Sequence, residues 1–327
     1  MGRFWEGSRR SVDVAAGTGL VLMWSSGFIG ADLGTQHAAA DTLLAWRYLA
    51  AATLLGAALL ATGRIPRRDG LVRHGVVGLL CQGLYLGGVV TGVGLGVPAG
   101  TAALIAALQP LLVAVLAETL LGERTTTTQR AGLVLGLGGV ALVVTGDLRA
   151  ASALAWVYLL PLGGMVALSV GTILDRRWHP RGSVLEALTV QTFVVGALVV
   201  AEATVAGRLA PPAEPDFWWA VAWVVGLSTF GGYGCYFLVL RRSGPTRVSA
   251  LLYLTPPTTM LWAAAAFGER PGLLAIVGTA VCAVAVVVVL RRPRGSGTGP
   301  ARTTIRATCP QIARTPCGYR RPGPTVL

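Results

Sequence analysis

The chain has 327 residues, of which 54% are hydrophobic and 13% are charged, and its mean hydropathy is +0.65. Soluble domains carry about 25% charged residues, so this composition excludes a soluble enzyme and indicates an integral membrane protein. The formal net charge of +13 comes from arginine, since the chain contains no lysine.

Apolar segments long enough to cross a membrane recur along the chain. A bilayer core about 30 Å thick needs about 20 apolar residues per helix. In chain order the ten predicted spans are residues 13–31, 42–61, 75–93, 100–120, 129–146, 153–173, 184–206, 217–239, 247–266 and 272–290. The fold class predicted from this pattern is an all-α integral membrane protein with ten transmembrane helices.

Two stretches, residues 105–124 and 251–270, are versions of one another. Pro110 aligns with Pro256, and both stretches close with the tripeptide Gly-Glu-Arg. Because five spans separate the copies, they must enter the membrane in opposite directions. The sequence therefore predicts two inverted five-helix repeats, an architecture typical of alternating-access transporters with a substrate site near the midplane.

The repeats divide the chain into four predicted regions. They are a cytosolic N-terminal segment (1–12), a first five-helix repeat (13–146), a second five-helix repeat (147–290) and a basic cytosolic tail (291–327). The tail is rich in Pro, Gly, Thr and Arg and shows no apolar periodicity, so it is predicted to be disordered.

Arginine is distributed unevenly over the predicted loops. With the N-terminus in the cytosol, 23 of the 27 basic residues fall on the cytosolic side. The opposite side has only Arg149, Arg208 and Arg270. Retention of arginine in the cytosol is the positive-inside rule. The sequence thus predicts a multi-pass protein of the inner membrane with both termini in the cytosol, and the charge sets topology rather than binding nucleic acid.

Two ionisable residues near or within the spans have alternative interpretations. Arg47 lies about six residues into the second span, roughly 9 Å below the outer surface at 1.5 Å per residue. It either lines a cavity and binds an anionic group such as a carboxylate, or snorkels and fixes the depth of its helix. Glu118, near the cytosolic end of the fourth span, is favoured as a partner of nearby arginines over a proton carrier.

Polar and aromatic residues within the spans are candidates for a substrate cavity. Pro110 and Pro256 each remove a backbone N–H and are predicted to kink their helices near mid-membrane. Kinks at matching depth favour a binding site between the halves, although hydrogen bonds between helices explain the same residue types. The candidate substrate-binding residues are Trp24, Ser25, Arg47, Gln82, Tyr85, Gln109, Ser169, Tyr233, Tyr253 and Thr255.

No pattern in the sequence indicates catalysis, a cofactor or a metal site. Without lysine, the phosphate-binding loop of an ATPase and a retinal Schiff base are both excluded. The sequence therefore predicts a protein that is not an enzyme.

The motifs of these spans resemble the EamA-type branch of the drug/metabolite transporter superfamily. Residues 24–28, Trp-Ser-Ser-Gly-Phe, resemble its W-[GS]-[ST]-x-F opening, and residues 47–51 resemble its R-[FY]-x-x-A pattern. The resemblance covers about residues 13–290. It implies two five-helix repeats around a central cavity, and substrates such as amino acids, purine-like metabolites or drugs, usually exported.

The predicted function is that of a permease moving a small metabolite, amino acid or drug across the inner membrane by alternating access, with export as the expected direction. The alternative is a non-transporting membrane sensor or scaffold with the basic tail as its output. The expected partners are a small-molecule substrate and the lipid bilayer. A coupling ion and a second copy of the chain stay open.

The arginine distribution yields a test of topology. Green fluorescent protein fused after Thr303 should fluoresce, because the tail is expected in the cytosol. Alkaline phosphatase inserted within residues 147–152 should be active, because that loop is expected outside. Phosphatase activity after Thr303 would contradict an even number of spans.

Overall fold

The structure is a computed structural model that describes most of the chain before residue 291. The described residues are 2–63, 70–122, 127–150, 153–178, 184–243, 248, 251–268 and 271–290. They form helices joined by turns and short connections, and no β-strand occurs among them. The predicted tail and the Glu-Arg pairs at 123–124 and 269–270 lie outside the described residues.

Helices before residue 150 are numbered α1 to α6. They are α1 Gly2–Thr35, α2 Ala40–Ala61, α3 Leu71–Gly94, α4 Ala99–Ala106, α5 Gln109–Leu121 and α6 Thr127–Arg149. Helices after residue 150 are numbered α7 to α11. They are α7 Leu159–Trp178, α8 Val184–Val205, α9 (215–243), α10 Thr255–Phe267 and α11 Leu273–Leu290.

Seven helical segments within the described residues are long and apolar enough to cross a membrane. They are Val12–Thr35, Ala40–Ala61, Leu71–Gly94, Ala99–Leu120, Arg130–Arg149, Ala155–Trp178 and Leu185–Val205. These segments coincide with the first seven predicted spans and confirm an all-α membrane protein. The full count of ten stays a prediction, because none of the seven segments covers the last three predicted spans. Span 217–239 lies within α9, span 272–290 corresponds to α11, and span 247–266 falls partly outside the described residues.

Large apolar side chains cover much of the outer surface of the helices. Leu60, Leu261 and Leu273 are 83%, 72% and 76% exposed, respectively. In water such a surface would drive aggregation, whereas lipid tails are as apolar as leucine. The outward-facing leucines therefore fit a protein surrounded by hydrocarbon.

The two aligned prolines begin new helices instead of bending continuous ones. A turn at residues 107–108 separates α4 from α5, and Pro110 lies in the first turn of α5. Pro256 lies likewise in the first turn of α10, after a turn at residues 253–254. A proline at that position has no intrahelical hydrogen bond to lose. The predicted kinks are thus corrected to breaks.

Two helices contain a π-helical segment, in which the chain accommodates an extra residue per turn. In α3 it covers Leu79–Leu84, and in α9 it covers Val224–Gly232. Such segments are frequent at functional sites because they redirect the side chains that follow. Both of them face the interior cavities described below.

Helices before residue 150 pack against helices after residue 150 throughout the bundle. Helix α1 packs against α9 and α10, while α7 packs against α3 and α5. Helix α2 packs against α8, α4 against α10, and α6 against α11. The main buried cluster draws on residues from both halves, among them Phe28, Tyr48, Val89, Phe217 and Val224.

The α6–α11 contact depends on two facing glycines. A Cβ atom added to Gly139 would lie 2.8 Å from the carbonyl oxygen of Gly278, and one added to Gly278 would lie 2.5 Å from that of Gly139. Real Cβ atoms do not approach backbone oxygens so closely, so the helix axes are near because neither residue has a side chain.

The glycine contact predicts opposite effects of one substitution at adjacent positions. Gly139→Ala should destabilise the protein by about 1–3 kcal/mol, because the two backbones must separate. Gly138→Ala should be neutral or stabilising by about 0.5–1 kcal/mol, since a Cβ there meets nothing within 4 Å and alanine favours helix. Thermal unfolding of the detergent-purified variants measures both. Equal melting temperatures would refute close packing at Gly139.

Candidate functional site

Three neighbouring cavities lie among the central helices. The arginine cavity, of about 270 Å³, is lined mainly by α2, α3, α8 and α9, including Arg47, Tyr48, Gln82, Thr192, Thr229 and Tyr233. The tryptophan cavity, of about 50 Å³, is lined by residues that include Trp24, Phe28, Arg47, Tyr85, Ser228 and Tyr233. The proline cavity, also about 50 Å³, is lined by residues that include Trp24, Tyr85, Gln109, Pro110, Tyr253 and Thr255.

The cavities share walls, so they follow one another through the molecule. Arg47 and Tyr233 line both the arginine and the tryptophan cavity. Trp24, Phe28 and Tyr85 line both the tryptophan and the proline cavity. The three cavities are thus separated by side chains that they share, and together they are called the path below.

Arg47 is the cation of the arginine cavity. It is only 7% exposed, and its Nη2 donates a hydrogen bond to the Thr229 hydroxyl oxygen at 3.3 Å. Among the described residues, no carboxylate forms an ion pair with it. A snorkelling arginine keeps its head group at the interface, whereas this guanidinium borders an interior space. The arginine cavity is therefore electropositive.

Contacts at the beginning of α2 fix the rotation that turns Arg47 inward. The Asp41 carboxylate accepts a hydrogen bond from Nε of Arg208 at 2.6 Å. The indole N–H of Trp46 donates to the carbonyl oxygen of Leu209 at 3.0 Å. Both hydrogen bonds connect α2 to the segment that follows α8. They fix the rotation of α2 about its axis, so that residue 47 faces α9.

Aromatic rings form the middle of the path. The ring of Trp24 lies 5.5 Å from that of Tyr233 in an edge-to-face arrangement and 5.9 Å from that of Tyr236 in a stacked one. Such pairs add about 0.5–1.5 kcal/mol each beyond simple burial. The three rings connect α1 rigidly with α9 and give the tryptophan cavity flat, apolar walls.

Two glutamines connect helices at either end of the path. Gln82 Nε2 donates to Gln191 Oε1 at 2.9 Å, and Gln109 Nε2 donates to the Thr172 hydroxyl oxygen at 3.2 Å. These bonds join α3 to α8 and α5 to α7. The expectation of hydrogen bonds between helices is confirmed for both glutamines, which at the same time line cavities.

Two of the candidate residues lie away from the cavities. Ser25 is fully buried, and its hydroxyl donates to the carbonyl oxygen of Thr255 at 3.4 Å. Ser169 is also fully buried, and its hydroxyl donates to the carbonyl oxygen of Met165 at 2.8 Å. Both serines stand at contacts within or between helices. Pro256 is buried too, and among the two aligned prolines only Pro110 lines one of the three cavities.

Thr229 is a lining residue that the sequence analysis missed. It lies in the π-helical segment of α9, where its hydroxyl also donates to the Val224 carbonyl oxygen at 3.0 Å. A bond to the residue five positions earlier exists only because the segment is π-helical. Its position as a polar residue within an apolar span could have marked it as a candidate. The sequence does not predict the π-helical geometry that brings it to Arg47.

Glu118 has the interfacial role expected for it. Nη2 of Arg130 donates to both carboxylate oxygens of Glu118, at 2.6 Å to Oε1 and 2.8 Å to Oε2. This ion pair joins α5 to α6. Arg130 is largely exposed, so water screens the pair and it contributes little to stability. The carboxylate is paired near the end of the helix and lines none of the three cavities.

A bundle of apolar helices enclosing charged and aromatic cavities is typical of a membrane transport protein rather than an enzyme. The EamA-like transporter family matches this chain twice, over residues 14–145 and 155–291. The chain belongs to that family, and it is a multi-pass protein of the inner membrane.

Similar proteins carry transporter names. Over 274 residues the chain is 25% identical to the "Uncharacterized inner membrane transporter YedA" of Escherichia coli, covering 83% of this chain and 88% of YedA. Over 280 residues it is 28% identical to the "Probable terminal-alkyne amino-acid exporter" of Streptantibioticus cattleyicolor, covering 84% and 92% of the two chains. A solved crystal structure matches the fold with a TM-score of 0.59 at 22% identity, over 85% of this chain and 97% of that one.

The proline cavity predicts different reactivity at two adjacent positions. In a variant lacking the native cysteines, Tyr253→Cys should react with a charged, water-soluble thiol reagent, because residue 253 lines the cavity and loss of the tyrosine ring widens it. Leu254→Cys should stay unlabelled, because Leu254 is 51% exposed on the apolar surface, where a thiol stays protonated and unreactive in lipid. Equal labelling of the two variants would contradict this placement.

Proposed function

We propose that this chain is a permease that moves a small molecule with an anionic group across the inner membrane by alternating access. The observation that carries the proposal is Arg47, which is nearly buried, borders a cavity and has no carboxylate partner among the described residues. An unpaired buried charge is costly and marks a functional site in a membrane protein. A substrate carboxylate provides the missing countercharge.

The guanidinium group suits a carboxylate in particular. It is planar and presents its N–H donors as a fork that matches two carboxylate oxygens. Thr229 is its only partner among the described residues, so other donors stay available for a ligand. In the low dielectric of the cavity these charge-assisted bonds are stronger than in water.

The remaining lining residues accommodate the body of the substrate. We assign the flat walls of Trp24, Tyr85 and Tyr233 to contacts with apolar atoms, and Gln82 and Gln109 to the two ends of the path. Ser25 and Ser169 take part through the packing of α1 and α7. A volume of about 270 Å³ suits an amino-acid-sized metabolite, and the exporter name of the Streptantibioticus relative supports amino acids as substrates and export as the direction.

The proposal includes two inverted five-helix repeats, 13–146 and 147–290. Their support is the reciprocal packing of the helices: α1 with α9 corresponds to α7 with α3, and α1 with α10 corresponds to α7 with α5. The two family matches, the two π-helical segments and the two proline breaks recur in the same order. Rocking of one repeat against the other exposes the path to alternate faces.

A screen of matched ligands tests the anionic substrate. Purified protein is heated with a panel of amino acids and small carboxylic acids, and with the uncharged amide of each. We expect stabilisation by acids but not by their amides, because the amide lacks the charge that Arg47 pairs with. Stabilising acids are then tested for uptake or release in proteoliposomes, where a lack of flux would favour the sensor or scaffold instead.

Substitution of Arg47 predicts a graded loss of binding for those acids. Arg47→Ala should weaken binding roughly 10- to 100-fold, the value of one or two charge-assisted hydrogen bonds. Arg47→Lys keeps the charge but not the fork, so an intermediate loss is expected. Arg130→Ala is the control, since it removes an exposed arginine paired with Glu118. Wild-type affinity in Arg47→Ala would overturn the proposal.

A further inference from the structure

The proline cavity gathers hydrogen-bond acceptors whose usual donors are missing. Ala106, Leu252 and Tyr253 line it. The residues four positions later are Pro110, Pro256 and Pro257, none of which has a backbone N–H. The three carbonyl oxygens therefore cannot receive the hydrogen bond that a continuous helix would give them. Away from water, such oxygens require another donor or a cation.

Thr255 adds an independent sign of an unfilled site. It lines the proline cavity and is only 4% exposed. Its hydroxyl oxygen has no hydrogen-bond partner among the described residues. Leaving a buried hydroxyl unpaired costs about 1–3 kcal/mol. A ligand that accepts or donates there would recover this energy.

The electrostatics of the proline cavity favour a positive ligand. No arginine is found among its described lining residues. Helix α4 ends at Ala106, whereas α5 and α10 begin at Gln109 and Thr255, so the partial charges of these helix ends oppose one another at the cavity. The aromatic residues Trp24, Tyr85 and Tyr253 belong to the lining, and the face of an aromatic ring attracts a cation. One of the two amide N–H groups of Gln109 is donated to Thr172.

We propose that the proline cavity is a cation-binding subsite that takes a primary ammonium group or an alkali-metal cation. Its volume of about 50 Å³ holds a head group or an ion but not the body of a metabolite. The subsite is opposite in polarity to Arg47, and the tryptophan cavity lies between them. It deepens the proposed function and rests on it only for the route by which the cation enters.

The ammonium and the metal ion have different consequences for transport. An ammonium in the subsite would belong to the substrate, whose anionic group is near Arg47. An alkali-metal cation would be a separate ion that is bound in one orientation of the transporter and released in the other. The carbonyl and hydroxyl oxygens of the subsite serve both, since each needs only acceptors.

Cation binding is measured on the full-length purified protein at constant ionic strength. Choline chloride, whose cation is too bulky for the subsite, is replaced stepwise by sodium chloride or by methylammonium chloride while thermal unfolding is followed. We expect the melting temperature to rise by about 2 °C or more with at least one of the two small cations. A response to sodium identifies an ion site, and a response to methylammonium alone identifies an ammonium site.

Two threonines of α10 supply a matched pair of variants. Thr255→Val should shift the cation response to roughly tenfold higher concentration, because it deletes the lining hydroxyl at constant size. Thr259→Val should keep the wild-type response, because Thr259 is equally buried and unpartnered but does not line any of the three cavities. Thr255→Ser restores the hydroxyl and should restore the response, which separates its role from a folding defect.

The outcomes separate this inference from the proposed function. Arg47→Ala should lose stabilisation by carboxylates and keep the cation response, since the two subsites are distinct. No response of the wild-type protein to either cation would overturn the inference while leaving Arg47 untouched. Equal cation responses of Thr255→Val and Thr259→Val would likewise overturn the inference. If Thr255→Val does not fold, Thr255→Ala takes its place in the comparison.

Discussion

In a bilayer, every backbone N–H and C=O group of a helix must find its partner inside the protein, because the hydrocarbon offers none. This constraint decides where the chain can depart from regular α-helix. The π-helical segments Leu79–Leu84 and Val224–Gly232 and the two proline breaks are such departures. Each of them contributes lining to an interior cavity, where side chains or ligands can take the place of lost helical bonds.

The polarity of the central path follows from those departures. At one end the π-helical segment of α9 brings Thr229 to the guanidinium of Arg47. At the other end the prolines deprive backbone oxygens of their usual helical donors, and aromatic rings separate the two ends. Arg47 attracts an anionic group of a substrate, and the acceptors attract a cationic group. The path is thus dipolar, although few of its residues are charged.

The site exists only where the two halves of the chain meet. Arg47 comes from α2 and Thr229 from α9, Gln82 from α3 and Gln191 from α8, and Trp24 packs on Tyr233 across the same boundary. A cavity with walls from both halves changes shape when one half moves against the other. Facing glycines such as Gly139 and Gly278 bring α6 and α11 close together elsewhere, so the boundary is tight in one place and hollow in another.

The sequence by itself determined the class of protein and much of the candidate site. Hydropathy is a local property of consecutive residues, so the all-α membrane fold and the first seven spans could be predicted from residue order. Arg47, Trp24 and Tyr233 were predicted as candidates because charged and aromatic residues inside a span need a reason to be there. The aligned prolines were visible as well, since an internal repeat needs no structure to be detected.

Only the tertiary structure decided which of those residues share a space. Ser25 and Ser169 are polar residues of apolar spans, as several lining residues are, yet they lie in packed helix contacts. Thr229 reaches Arg47 because a π-helical segment changes the direction of its side chain. The rotation of each helix, and the depth at which it meets its neighbours, depend on the packing of the whole bundle. Residue order fixes the period of a helix, but the face it turns inward is chosen by contacts far away in the chain.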